Sequence, residues 1–346
     1  MSAFVTDAGY KHTLGIVRSL GRRGLLVDVG SPSSRITLSS FSRSVHNVFK
    51  YYDPKLYPER FARLIRAICK KYKYEVVIPV GYNATFALSR FKRSLLKDLN
   101  IPIANYDSLK IAGNKRETIK LAQHLDIPVP KTIVSKFSDL ERIGRAENSR
   151  DVVKGIYGTG CVRYACSGQD LQRKFKEIYD YQRLSPLVQE FVKGRGYGFF
   201  ALFNHGKPRA TFMHRRVREY PITGGASTVA ESVYEPKVKE YGLKVLRALN
   251  WHGVAMVEFK KDQRDNSFKL MEINAKFWGS LDLAIASGVD FPYLLYCMAK
   301  EGDVKPVFSY RTGAKFMWPF PDALPGRVAT PSAFSKFIKD LLDINV

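Results

Sequence analysis

The chain has 346 residues, 45% of them hydrophobic, with 56 Lys+Arg against 32 Asp+Glu and a formal net charge of +24. That apolar content supports a large core and two or three domains, and it excludes an intrinsically disordered chain. No apolar run approaches the roughly 18 residues of a membrane span, and Met1 to Gly9 carries no basic-then-apolar leader, so a cytoplasmic location is expected. Cys69, Cys161, Cys166 and Cys297 have no paired metal spacing and read as reduced thiols, Cys69 on an apolar helix face.

Phe4-Val5-Thr6 opens as a strand, a helical stretch follows to Gly21, and Leu25 to Val29 forms the next strand. Phe61, Leu64, Ile65, Ile68, Cys69 and Tyr72 recur at the spacing of an amphipathic helix, and Val76 to Val80 reads as a buried strand. Strand–helix–strand alternation predicts a parallel sheet, which binds ligands at the carboxyl ends of its strands, here Asp7 to Lys11 and Gly81 to Asn83. No G-x-G-x-x-G follows the first strand, so a dinucleotide fingerprint is absent.

A second unit begins near Leu109. Asn114-x-x-Glu117 is a capping box for a helix to about Leu125, and Ser138-x-x-Glu141 caps another. Val152-Val153-Lys154 runs as a strand into Gly155-Ile156-Tyr157-Gly158-Thr159-Gly160. Leu171, Phe175, Ile178 and Tyr179 form a helix face, and Leu187 to Val192 is a strand. Long strands follow at Tyr197 to Phe203 and Arg209 to Arg216, then an irregular segment, Pro221 to Ser227. Pro236 starts a helix with Val238, Tyr241, Val245, Leu246 and Leu249 inward. A proline-rich stretch from Pro306 to Pro331 precedes a helix near Ser335 to Leu342.

Residues 251–260 and 268–274 alternate apolar and polar around the turn chemistry of Asp262 to Ser267, which predicts a β-hairpin placing Glu258 opposite Glu272, with Asn274 on the same face. Opposed carboxylates repel unless a cation lies between them, and Mg²⁺ takes such oxygens together with substrate phosphates. A solvated hairpin face is the alternative.

Lys154 and the glycines Gly155, Gly158 and Gly160 have the makings of a phosphate cradle, although an ordinary loop has the same composition and G-x-x-x-x-G-K-[ST] is absent. Lys115 stands in the first turn of its helix, where anions are favoured, so either a bound phosphate or solvation must accommodate it. Gln189-Glu190-Phe191-Val192 can offer backbone groups to a flat heterocycle or serve as an ordinary central strand. His214, Arg215, Arg216 and Arg218 suit an anionic substrate, and Lys276 follows Asn274 by two residues.

Lys115, the Lys154 glycine loop, Gln189 to Val192, Glu258 and Glu272-Ile273-Asn274, in this order, resemble the ATP-grasp superfamily over roughly residues 1–310. His214 to Tyr220, Thr223 to Ser227, Trp251 to Phe259 and Met271 to Ser280 are similar to its predicted ATP-dependent carboxylate–amine ligases, of the carbamoyl-phosphate-synthase-like group. The resemblance implies an α/β ATP-grasp fold with an N-terminal parallel-sheet (pre-ATP-grasp) domain at 1–108. Two α+β ATP-binding lobes follow, small at 109–192 and large at 193–310, with a C-terminal extension at 311–346.

It further implies ATP between the two lobes. Lys115, Lys154 and Gly155 to Gly160 would meet the phosphates, Gln189, Glu190, Phe191 and Val192 the adenine, and Glu258, Glu272 and Asn274 would hold Mg²⁺ or Mn²⁺. Arg216 and Lys276 would be catalytic. A carboxylate would become an acyl phosphate with release of ADP, and an amine would displace phosphate. Two departures stand out. Gly194-Arg195-Gly196 occupies the place of the usual acidic ribose residue, and Asn274-Ala275-Lys276 stands where Asn-Pro-Arg is common, losing a bidentate fork.

The +24 charge admits a non-catalytic nucleic-acid or polyanion-binding protein, and a thiol nucleophile in place of the amine is a third reading. Nucleic acid is not favoured, because the basic residues are dispersed without a run of five or six. A small anionic carboxylate and an amine are the expected partners, with a homodimer allowed.

Overall fold

The computed structural model describes residues 1–134, 151–158, 161–220 and 226–317. Two compact units result: one from Met1–Leu109, Gly198–Met256 and the chain from Asn274 onward, the other from Lys110–Tyr197 and Val257–Ile273.

The first unit opens with β1 (Ser2–Val5), α1 (Lys11–Arg22), β2 (Leu26–Ser31), β3 (Val45–Lys50), α2 (Pro58–Tyr72), β4 (Val76–Ile78) and α3 (Tyr82–Phe91). The strands form the expected parallel sheet, in the order β3-β2-β1-β4. Ala3, Val5, Val27, Val29, Val76 and Ile78 are buried in one cluster and Phe4 and Val77 in another, the near-continuous apolar pattern of a sheet covered on both faces. Helix α2 starts at Pro58, whose fixed φ suits N1, and ends at Lys73 in the left-handed region (φ 55°). Its inward stripe of Phe61, Ile65, Ile68 and Cys69 packs with Val77 and Leu88. Burial pushes the Cys69 thiol up to about 12, so it stays protonated and acts as a small apolar group.

The helices α4 (Tyr106–Gly113) and α5 (Lys115–His124) come next, then β5 (Thr132–Val134), β6 (Asp151–Lys154), β7 (Val162–Ala165), α6 (Gly168–Gln182) and β8 (Leu187–Glu190). In the second unit the strands form an antiparallel sheet, β5-β8-β6-β7. Helix α6 lays Leu171, Phe175 and Ile178 on Val153 and Val188. Tyr179, expected inward, is 38% exposed, because it lies one residue beyond the Leu171–Phe175–Ile178 stripe.

The remaining elements are β9 (Gly194–Asn204), β10 (Lys207–Tyr220), β11 (Ala226–Ser232), α7 (Pro236–Ala248), β12 (Gly253–Asp262), β13 (Phe268–Asn274), α8 (Leu281–Ala286), α9 (Phe291–Glu301) and β14 (Lys315–Met317). Their sheet has the order β13-β12-β9-β10-β11-β14. Ala226 and Ser227, expected in an irregular segment, begin β11 and pair with Tyr220 and Glu219 of β10. On α7, Val238, Val245 and Leu246 are buried while Tyr241 is half-buried. Gly242 takes the inward place, since a Cβ there would lie 2.2 Å from the Phe199 ring. The helix capped by Ser138, the segment 221–225 and the helix near Ser335 to Leu342 lie outside the described residues.

Three histidines of the first unit, His12, His214 and His252, are each pushed down to about 3, chiefly by burial. Neighbouring cations add to the effect: Lys276 and Lys11 at His12, Arg216 at His214, and His205 and Lys92 at His252. The unfolded chain binds protons on these rings below about pH 6.5 whereas the folded chain does not, so stability is lost as pH falls through that value. Between pH 7 and pH 5 the loss is about 2 kcal/mol for each such ring. Carboxylates held low by ion pairs, such as Asp262 and Asp303, add their own loss only below about pH 4. Melting followed by circular dichroism at pH 7, 6 and 5 is expected to show a falling midpoint, with a shallower fall in His214→Gln. Identical slopes for the two proteins would remove the histidine explanation.

Candidate functional site

In the second unit Lys115 and Glu272 pair at the N-terminus of α5. Asn114 caps that helix, its side-chain oxygen accepting from the N–H groups of Arg116 (2.9 Å) and Glu117 (3.3 Å). The reciprocal half of the expected capping box is not made, because the Asn114 N–H is already taken by the Lys110 and Ile111 carbonyls at the end of α4. Lys115 follows and is only 8% exposed, which rules out the solvated reading. Its N–H donates to the Ile156 carbonyl at 3.1 Å, and its ammonium donates to the Gly158 carbonyl at 2.9 Å. The same ammonium pairs with Glu272 Oε2 at 3.5 Å, so a carboxylate answers the helix dipole at this position.

The glycine segment leaves β6 beside this helix end. Gly155 donates its N–H to the Cys161 carbonyl at 2.8 Å. The Gln182 amide fills the space beside it, 2.6 Å from where a Cβ would stand. Gln182 Oε1 accepts the Ile156 N–H at 2.8 Å and its Nε2 donates to the Tyr157 carbonyl at 2.7 Å, so one side chain holds the stem of the loop. Gly158 has φ +80° with open space around it. Gly160 lies outside the described residues.

Lys154 ends β6 with its ammonium 4.0 Å from Met271 Sδ. Burial pushes this ammonium down to about 8; Lys115 and Lys260 act in the same direction, while Glu272 and Glu258 oppose them. Three lysines and two carboxylates thus share one neighbourhood with cations in excess. A polyanion relieves the charge that burial makes costly, and the two carboxylates supply hard oxygen donors for a divalent ion, so these residues fit a nucleotide phosphate chain with Mg²⁺. Lys260, Met271 and Gln182 escaped the sequence reading. Lys260 stands two residues beyond Glu258, the spacing that puts two strand residues on one face, and that was the available signal.

The expected hairpin is present as β12 and β13. The Asp262 N–H donates to the Ser267 carbonyl at 2.8 Å, and Asn266 takes φ 59° in the turn. Arg264, against the opposing effect of burial, and Lys269 hold the Asp262 carboxyl well below the usual range. Both cations also bind Glu190, at 2.8 and 3.0 Å.

Gln189 and Glu190 sit in a central strand: β8 pairs with β5 on one side and β6 on the other. The Glu190 N–H goes to the Lys131 carbonyl at 3.0 Å and the Gln189 amide to the Pro130 carbonyl at 3.3 Å. Phe191 and Val192 lie beyond the strand, with the Val192 carbonyl 3.4 Å from Lys260 Nζ and the Phe191 ring 5.3 Å from it.

The other three candidates belong to the first unit. Asn274 closes β13, two residues after Glu272. Lys276 Nζ donates to the Phe277 carbonyl at 3.4 Å, and its charge acts on His12. Arg216 pairs with Glu219 at 3.4 Å and Arg215 with Glu231 at 2.9 Å, so both of these adjacent guanidinium groups have carboxylate partners.

This arrangement of sheets, with lysines and carboxylates grouped beside a glycine segment, is the ATP-grasp fold. Residues 185–318 match the family model described as ATP-grasp in the biosynthetic pathway with Ter operon. The biotin carboxylase domain of 2-oxoglutarate carboxylase from Hydrogenobacter thermophilus, crystallised with MgADP, ADP and bicarbonate, aligns with TM-score 0.70 at 14% identity over 91% of this chain and 73% of that one. L-amino acid ligase from Bacillus licheniformis aligns with TM-score 0.68 at 16% identity, over 88% and 77%. N5-carboxyaminoimidazole synthetase from Staphylococcus aureus, complexed with ADP, aligns with TM-score 0.68 at 17% identity, over 91% and 80%. Comparison with curated proteins finds no similar sequence. Among the described residues no helix is long and apolar enough to cross a membrane.

Proposed function

We propose that the protein is a cytoplasmic ATP- and Mg²⁺-dependent ligase that joins a carboxylate to an amine, releasing ADP and phosphate. The observation that carries this reading is the cluster of Lys115, Lys154, Lys260, Glu258 and Glu272 beside the glycine segment. Lys115 and Lys154 bind and orient the phosphate chain, Gly155 makes room for the Gln182 amide that holds the loop stem, Gly158 lets backbone approach the phosphates, and Phe191 with Val192 border the base. Glu258, Glu272 and Asn274 would hold Mg²⁺, which when bound neutralises charge on the transferring phosphoryl group. The substrate carboxylate attacks the γ-phosphorus and ADP leaves. The amine nitrogen then attacks the acyl carbon, the carbon–oxygen bond to phosphate breaks, and the amine loses a proton. The ligase and synthetase among the structural neighbours support the class of reaction.

The acyl phosphate is electrophilic, so hydroxylamine added with ATP and the correct acid is expected to give a hydroxamate together with ADP and phosphate. AMP and pyrophosphate as products would replace phosphorylation by adenylation and overturn the proposal.

A further inference from the structure

We propose that the N-terminus of α1, with Lys11, His12 and Lys276, forms a binding site for the carboxylate or phosphate group of a small acid at the carboxyl end of the parallel sheet. The anion site stands by itself; its identification as the seat of a second acidic group on the ligase's carboxylate substrate rests on the reading above.

The strand order β3-β2-β1-β4 puts the reversal of strand order between β1 and β4, where an open parallel sheet has its crevice. The loops after these strands are tied together there. The Thr6 N–H donates to the Ile78 carbonyl at 3.1 Å and the Gly81 N–H to Asp7 Oδ2 at 2.7 Å. Helix α1 starts at this crevice without any of the usual compensation. Its N-cap, Tyr10, makes no side-chain cap, its first turn has no acidic residue, and its first two residues are Lys11 and His12.

His12 is the second, independent sign. It is 8% exposed, and neither ring nitrogen has a hydrogen-bond partner. The ring stacks on that of Tyr10, the N-cap residue, with centroids 5.3 Å apart and 8° between planes. Whichever tautomer it takes, one nitrogen is a buried donor without an acceptor, a costly state that a bound anion removes. Lys11 and Lys276 both lie close enough to act on this ring. At Gly279 a Cβ would come within 2.9 Å of Lys11 Cε, so glycine there leaves the lysine stem its course.

Two acids of the same unit lie nearby. Asp282 acts on Lys11 but is also shared with Arg18 and Arg22. Asp7 is bound to Thr6, Tyr51 and Gly81, and burial pushes its carboxyl up. Tyr10 is 49% exposed, so the helix end has an edge open to solvent. A helix N-terminus, two lysines and an imidazole donor together select an anion small enough to meet all of them.

The test follows the ring itself in protein labelled with ¹⁵N-histidine. The six histidines give distinguishable ring signals, with those of His12 assigned by their loss in His12→Gln or, should that variant fold poorly, by connection to the backbone. Sodium phosphate and sodium succinate are titrated separately, without nucleotide. The expected result is a saturable shift of the His12 signals with a dissociation constant in the low-millimolar range or below, weakened about tenfold in Lys11→Met. Response to phosphate alone assigns a phosphorylated acid, and response to succinate a polycarboxylate. Unchanged His12 signals at about 20 mM of both anions would overturn the site, as would an affinity indifferent to Lys11→Met in a normally melting protein. No nucleotide is present, so failure here leaves the ligase reading intact, and failure of ATP turnover leaves this result intact.

Discussion

Glu272→Gln is expected to cut ADP release by about 10²–10³-fold while shifting the melting temperature little. Glu272 faces Lys115 at 3.5 Å and is the largest counterweight to the burial that depresses Lys154. Glutamine keeps the volume and removes the charge, leaving three ammonium groups against Glu258 alone and one carboxylate fewer for a divalent ion. The side chain is 24% exposed, so water can absorb part of the lost pairing and the stability cost is about 1 kcal/mol. The measurement is steady-state ADP release beside a thermal melt, with Mn²⁺ affinity in the presence of a non-hydrolysable ATP analogue read by electron paramagnetic resonance. Glu272→Asp should recover part of the metal affinity. Full ADP release by the glutamine variant would remove the carboxylate from the mechanism, and an equal loss of folding would reduce its role to structure.

The second large effect is on stability. A Cβ at Gly194 would stand 1.7 Å from the Lys261 carbonyl oxygen and 2.8 Å from its carbon. The obstacle is backbone, and the Gln263 N–H to Lys193 carbonyl bond of 2.9 Å holds the same two segments together, so neither can step aside cheaply. Gly194→Ala should therefore cost about 3 kcal/mol or more, lowering the midpoint by roughly 6–12 °C. Gly9→Ala, with nothing within 4 Å, is the neutral control. Gly158→Ala tests a different mechanism, since only its φ of +80° opposes a side chain, at about 1 kcal/mol. A Gly194→Ala protein that melts like the parent would show that the two strands separate readily.

These positions also mark how far the sequence could be read. Strands β1, β2 and β4 were legible because burial on both faces demands apolar runs. Strand β3, Val45-His46-Asn47-Val48-Phe49-Lys50, was missed because an edge strand with three exposed and three half-buried residues carries no such run. Helix α3 was missed because Tyr82 and Asn83 read as loop after Gly81, and its stripe of Ala84, Ala87 and Leu88 is short. At the candidate site, Lys115, Lys154, Glu258 and Glu272 stood out by type and spacing. What stayed hidden was who holds whom. The pairing of Lys115 with Glu272, the Gln182 bonds to the loop, and the commitment of the Glu190 N–H to Lys131 all join residues 25 to 157 positions apart. Periodicity reports which face a side chain takes and is silent on such partners.

Gln182 is the last residue of α6, which starts after its Ser167 cap, so the loop stem is set by a length. The helix works as a gauge block. One residue removed between Gly168 and Gln182 would move the amide about 1.5 Å along the axis and about 100° around it, off both loop partners at once. Lengthening has the same result, and substitution on the exposed side of α6 leaves the gauge unchanged. The loop stem therefore tolerates changes in what α6 is made of far better than changes in how many residues it has.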